Sequence, residues 1–194
     1  VDELGRILQA RLKPGRLKHT QGVVKTAAKL AQIHGVSVPR ARTAAWLHDC
    51  AKALPKEELK AHLAASQADA QERAMPPLWH APVGALLARR EYGLRDAEVI
   101  KAIRFHSTGA PGMSPLQQVL FVADYIEPNR PPWPELKSLR ATARRDLKAA
   151  FLDVLRYKLM DLLESRRPLH PRSIRAYHAA LSAAKDHAAM GQGG

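Results

Sequence analysis

The residues of this 194-residue chain that could do chemistry are its nine histidines and one histidine–aspartate dipeptide. Four histidines sit near helix ends or loop edges, each beside apolar sequence: His19 in LKHTQGVV, His48 in WLHDCAK, His80 in LWHAPVGA and His106 in IRFHSTG. Asp49 follows His48 directly, and Asp124 interrupts the apolar run VLFVADYI. A carboxylate withdrawn from water costs several kcal/mol, roughly, unless a cation or hydrogen-bond donors meet it. No lysine or arginine lies within one helical turn of Asp124, so its partner should come from elsewhere in the chain. Imidazole nitrogens with carboxylate oxygens and no thiolate suit iron, manganese or zinc, and not calcium or a structural zinc knot. A lone histidine on an apolar face is more often a hydrogen-bonded core residue than a ligand. Four of them, with the dipeptide and Asp124, shift the reading to a metal site.

Adjacent helical residues point about 100° apart, so His48 and Asp49 share one ion only if it sits in the notch between them. Lys52 comes four residues after His48 on the same predicted helix face, where its ammonium can reach an oxygen bound at the ion. His34 precedes the helix-ending Gly35 and reads as a partner of the helix C-terminus. His62, His178 and His187 read as solvated. Cys50 is the only cysteine, a small packing residue, which leaves no intrachain disulfide or thiolate cluster and fits a reducing cytoplasm.

Helices must position these groups. Val23, Ala27, Leu30 and Ala31 recur at helical spacing and stop at Gly35. A second helix, RARTAAWLHDCAK, runs from Pro39 towards Pro55, where PKEELKAHLAA begins. The looser QERAMPPLW leads into HAPVGALLARREYG, closed by Gly93. Asp96 caps EVIKAIRFH, Gly109, Pro111 and Gly112 break the chain, and Ser114-Pro115 restart it. After the loop PNRPPWP a long helix is expected from about Glu135 to Arg166, then a last one in SIRAYHAALSAAKDH. No strand-period alternation or repeat appears. The expectation is an all-α, single-domain helical bundle over 1–190, with a site core at about 16–130, C-terminal helices at about 135–190 and a disordered tail at 191–194.

The net charge of +13 has two readings, a surface that attracts polyphosphate or nucleic acid, or solvated helix faces written in arginine. Aromatic residues are only 5%, too few for a base-stacking platform, so no specific nucleic-acid partner is expected. No run approaches the roughly 18 apolar residues of a membrane span, so no membrane partner is expected. The N-terminal VDELGRILQARL is amphipathic and resembles neither a secretory signal nor a transit peptide, and the missing Met points to a trimmed start.

The ordered set RLKHTQGV, HDCAK, LWHAPVGA, IRFHSTGAPGM and VLFVADYIEPNR resembles the HD-domain metal-dependent phosphohydrolases, whose pattern is H…HD…D. It is most similar to the bacterial YqeK-type symmetrical diadenosine tetraphosphatases, over nearly the whole chain. The resemblance implies that His19, His48, Asp49 and Asp124 hold an iron-type ion. His80 and His106 would serve a second metal or the substrate phosphate. Lys52 and Arg130 would lie near the phosphates, and Ser107 and the stretch RPLHPR, with Arg167 and His170, near the nucleotide. The implied reaction splits diadenosine tetraphosphate into two ADP by attack of a metal-activated water on a bridging phosphate. Iron is the expected metal, with manganese or zinc as alternatives and one or two ions bound. A cytoplasmic location is expected, and a homodimer would pair through the long helix. Two other readings compete: another HD-superfamily nucleotidase or phosphodiesterase, and a basic RNA- or ribosome-binding protein.

Overall fold

The structure is a computed structural model that describes the backbone of residues 3–191 and side chains to residue 185. Among the described residues it is all-helical: eleven α-helices, two short 3-10 turns and no strand. In chain order these are α1 (Glu3–Arg11), α2 (Pro14–Ile33), α3 (Val38–Leu47), α4 (Lys56–His62), α5 (Ala70–Ala74) and α6 (His80–Arg90). There follow α7 (Ala97–Phe105), α8 (Pro115–Ile126), α9 (Leu136–Arg145), α10 (Leu147–Glu164) and α11 (Pro171–Gly191). The expected tail, 191–194, lies outside the described residues apart from Gly191, as does the side chain of His187.

Local chemistry sets the boundaries. Asp96 caps α7 by accepting hydrogen bonds from the Glu98 and Val99 amides. Ser114 caps α8, with Pro115 in its first turn. Gly35 takes φ +64 after α2, a conformation that costs other residues about 1 kcal/mol or more. His34, at the C-cap, reaches across to the Ala143 carbonyl at 2.7 Å.

Helix α8 is the central element, and Leu116, Val119, Leu120, Phe121, Val122, Ala123 and Ile126 are all buried. It packs against α2, α3, α7 and α10, so Asp124 is carried into the middle of the molecule. Helices α2 and α3 meet through buried Ala27, Ala31, Ala41, Ala44 and Ala45. Small side chains let those backbones approach closely, which brings His19 and the end of α3 together.

Two expected helices are broken. The segment through HDCAK does not stay α-helical: α3 stops at Leu47, Asp49 adopts φ −109 and ψ 12, and Cys50–Ala53 form a 3-10 turn. The long C-terminal helix is two helices. Asp146 leaves helical geometry at φ −145, ψ 105, and its carboxylate accepts the Ala149 amide at 3.0 Å, capping α10. An N-cap side chain competes with backbone pairing, and here it wins over the leucine periodicity that runs through it. The loose stretch before α6 also holds a short helix, α5, started by a reciprocal capping box between Asp69 and Glu72.

Candidate metal centre

Four helix ends and one helix interior bring six ligand-type side chains together. His19 lies in the second turn of α2, and His48 is the C-cap of α3. Asp49 follows at the break, His80 opens α6, His106 caps the end of α7, and Asp124 comes from α8. The break after His48 solves the 100° problem. Because Asp49 leaves helical geometry, it turns to the same side as its neighbour, and His48 Nε2 lies 3.6 Å from Asp49 Oδ2.

Two trios of donor atoms result, His19–His48–Asp124 and Asp49–His80–His106, each with its atoms within 4.8 Å of one another. In the first, Asp124 Oδ1 is 3.1 Å from His19 Nε2 and 3.9 Å from His48 Nε2. In the second, Asp49 Oδ1 is 3.7 Å from His80 Nε2 and 3.6 Å from His106 Nε2. Asp49 joins them: its Oδ2 faces His48 and His19, and its Oδ1 faces His80 and His106.

The protonation pattern suits cation binding. Nδ1 of His48 and Nδ1 of His106 each face a backbone carbonyl, of Ala45 and Ile103, at 2.7 Å. An Nδ1–H donated there leaves the Nε2 lone pair pointing at the cluster. Burial, working against Asp49 and Asp124, pulls the His48 pKa down to about 4, so the ring stays neutral. Burial also lowers His80, helped by Lys52. Burial pushes both carboxyls up, but the Lys52 charge beside Asp49 and the His19 hydrogen bond to Asp124 hold them well below the carboxylate range. His48 Nε2 and Asp49 Oδ1 are buried without a hydrogen-bond partner. Two buried atoms left without a hydrogen bond, one on a neutral imidazole and one on an ionised carboxylate, fit a divalent cation, which such groups bind together.

Lys52 reaches the cluster from the 3-10 turn, its Nζ 3.0 Å from Asp49 Oδ1 as an ion pair without hydrogen-bond geometry. Ser107 Oγ sits 2.9 Å from His80 Nε2 and 3.2 Å from His106 Nε2. Arg130, expected to meet a phosphate, donates to the Asp124 carbonyl and to Asp124 Oδ1 at 3.1 Å. It folds back from the loop six residues on, so Asp124 has a protein cation as well. Arg167 and His170 are not brought to the cluster. Arg167 pairs with exposed Asp161, and His170 is buried against Asp69 at 3.2 Å. There, Arg104 and Arg172 surround Glu72. Asp69, Glu72 and His170 have metal-like spacing, but two guanidinium groups already neutralise them. His62 is half-exposed and His178 exposed, and Cys50 is buried with its thiol pushed up to about 12, chiefly by burial.

Three residues escaped the sequence reading. Arg16 donates to Asp49 Oδ2 at 3.0 Å. Glu127 is 1% exposed and lies 3.2 Å from His19 Nδ1, and its Oε2 accepts from the amide and side chain of Asn129. Its position next to the quoted ADYI run was the available signal. Lys158, on α10, which the sequence reading did not single out, stands with its Nζ 4.5 Å from the Phe121 ring centre, one turn from Asp124. Gly22 belongs with Glu127: a Cβ there would lie 2.1 Å from Glu127 Oε2 and 2.8 Å from Asn129 Nδ2. An open cleft of about 640 Å³ leads in, lined by Lys13, Arg16, Lys18, His19, Lys52 and Arg130 among others.

A family model for the HD domain matches residues 16–129, the stretch that holds all six clustered side chains, and the chain belongs to the HD-domain family. Within that family it is similar to two curated proteins named symmetrical bis(5'-nucleosyl)-tetraphosphatase. The Bacillus subtilis protein is 39% identical over 90% of this chain and 94% of its own length. The Halalkalibacterium halodurans protein is 37% identical over 91% of this chain and 94% of its own. A solved structure from Clostridium acetobutylicum superposes with a TM-score of 0.87 at 33% identity. It covers 94% of this chain and 97% of its own, and is described as a "predicted HD superfamily hydrolase involved in NAD metabolism".

Proposed function

We propose that the chain is a metal-dependent hydrolase that splits diadenosine tetraphosphate symmetrically into two ADP. The observation that carries the reading is Asp49, a buried carboxylate whose Oδ1 makes a trio with His80 and His106 while its Oδ2 faces His19 and His48 of the other. The family relation supports the substrate, since two close relatives bear that activity in their names. In balance, the oxygen of one water bonds to a central phosphorus. The bond from that phosphorus to the oxygen bridging the two halves breaks, and that oxygen leaves on the second ADP.

His19, His48, Asp49 and Asp124 would hold the principal cation, with iron the favoured metal and manganese or zinc compatible with the same donors. Bound there, a divalent ion supplies a nucleophile near neutral pH by acidifying water and offsets charge on phosphoryl oxygens. With Nδ1 donating to the Ile103 carbonyl, Nε2 of His106 turns towards Asp49 Oδ1 and His80, and Asp49, His80 and His106 would hold a second ion. Glu127 holds the His19 ring in place through Nδ1. Lys52 and Arg16, already drawn to Asp49, would turn to phosphate oxygens as the cation takes over the carboxylate. Arg130 fixes Asp124 and can share its outer N–H groups with a terminal phosphate. Ser107 offers a hydroxyl beside His80. Arg167 and His170 would serve the nucleotide only by contacts outside the cluster. Cutting the central linkage yields one product, so chromatography should show ADP alone from the purified protein. AMP with ATP would refute symmetrical cleavage, and turnover confined to mononucleotides or cyclic nucleotides would favour another HD-type phosphohydrolase.

A further inference from the structure

The cations around the cluster are not equally engaged. Arg16 and Lys52 pair with Asp49 at 3.0 Å each, and Arg130 pairs with Asp124 at 3.1 Å. Lys158 comes from α10, beyond the 16–129 stretch that the family model matches. Its side chain is half-buried, its ammonium stands 4.5 Å from the centre of the Phe121 ring, and it makes no hydrogen bond or ion pair among the described residues. Phe121 lies one turn before Asp124 on α8, so the ring holds this ammonium on the wall of the cluster. Asp124 and Asp49 attract this ammonium, and Arg130 and Lys52 repel it, in keeping with a place one turn from Asp124.

A lysine normally lays its stem along apolar surface and keeps its head in water. Here the head lies over the Phe121 ring, one turn from Asp124, a carboxylate whose charge a bound cation would consume. With that charge consumed, Arg130 and Lys52 leave the ammonium repelled until an anion arrives. We propose that Lys158 is a substrate-contacting residue whose ammonium binds non-bridging oxygens of a polyphosphate lying across the Asp49–Asp124 cluster. A purely structural lysine over Phe121 would be replaced without functional loss by methionine, which fills the same space. A lysine acting only through Asp124 would change metal content when removed.

The inference rests on the phosphate reading of the cluster, but its test need not involve adenosine or turnover. Inorganic tripolyphosphate is titrated calorimetrically into manganese-loaded wild-type, Lys158→Met and Lys158→Arg proteins, with metal content measured on each. The expected result is binding weakened about ten- to a hundredfold in Lys158→Met, the range of one lost charge-assisted contact, at unchanged metal content. Lys158→Arg should stay within a few-fold of wild type. Unchanged binding in Lys158→Met, a parallel loss of metal, or a wild-type protein that ignores tripolyphosphate would each overturn the proposal. Should Lys158→Met fail to fold, Lys158→Gln replaces it: weak binding there with retention in Lys158→Arg supports the contact, and equal affinities overturn it. A protein that binds tripolyphosphate through Lys158 yet leaves diadenosine tetraphosphate intact would retire the proposed function and keep this inference.

Discussion

At the scale of the residue, the site is a problem in where protons are kept. His48 and His106 spend their Nδ1–H groups on carbonyls of their own helices and so turn their Nε2 atoms to the cluster. His19 is oriented differently, by a carboxylate, and Glu127 can do this only because position 22 has no side chain. Two variants follow. Glu127→Gln keeps the shape and removes the charge, and should weaken metal affinity about ten- to a hundredfold, the usual cost of losing such an orienting partner. Gly22→Ala should do at least as much and lower the melting temperature as well, since the new methyl displaces Glu127. Metal titration with thermal melts checks both, and wild-type affinity in either variant would remove Glu127 from the account. The ligand-type residues were legible in the sequence because imidazole and carboxylate beside apolar runs are unusual. Glu127 was not, because a glutamate before proline at a helix end is an ordinary solvated residue until the fold closes over it.

At the scale of the element, breaks in helices matter as much as the helices. HDCAK contains nothing that forbids a helix, so the turn at Asp49 could not be read from residue types, and the placement of Lys52 on an unbroken helix face was wrong in detail. The N-cap at Asp146 had its signal, an aspartate three residues before Ala149, but leucines at helical spacing on both sides masked it. The short α5 does work at a distance from the cluster: its Asp69 and Glu72 gather Arg104, Arg172 and His170, tying α7 and the start of α11 together. Burial pushes the Glu72 carboxyl up, but Arg104 and Arg172 hold it below its ordinary 4.5, and the Glu72 amide with His170 likewise depresses Asp69 from 3.8. A depressed folded-state pKa contributes stability above the unfolded value and loses it as pH falls through the folded one. Stability should therefore drop below about pH 4.5. His48, depressed from 6.5 to about 4, adds a shallower loss between those values, because the unfolded ring takes up its proton first. Glu72→Ala should cost about 3 kcal/mol by leaving the Arg104 guanidinium without a carboxylate and Arg172 with Asp69 alone, and should flatten the steep acid limb. Denaturant melts from pH 3 to 8 test this, and an unchanged acid limb in the variant would contradict it.

At the scale of the whole molecule, the helical class and most element positions were readable, since helical periodicity, proline starts and glycine stops agree along the chain. What the sequence could not supply was convergence: six side chains from five segments meet only because α8 is buried at the centre with α2, α3 and α7 packed on it. The net charge of +13 acquires a use in that setting, because the cleft to the cluster is lined by Lys13, Arg16, Lys18, Lys52 and Arg130. A field of one sign over a cleft raises the encounter rate of a polyanion and is screened by salt. The specificity constant kcat/KM for the dinucleotide should fall several-fold between low and high ionic strength with kcat little changed. A flat salt profile would assign the charge to solvated helix faces alone. No helix among the described residues is long and apolar enough to cross a membrane.

The central claim is that imidazoles and carboxylates from distant parts of the chain close on a cation that hydrolysis requires. Asp49 stands between both trios, so elemental analysis and hydrolysis of diadenosine tetraphosphate, measured together on wild type and Asp49→Ala, address it most directly. The prediction is stoichiometric metal and turnover in the wild type, and loss of both in a variant that still folds. An Asp49→Ala protein that keeps its full metal content, or a metal-stripped wild type that hydrolyses at the original rate, would contradict it.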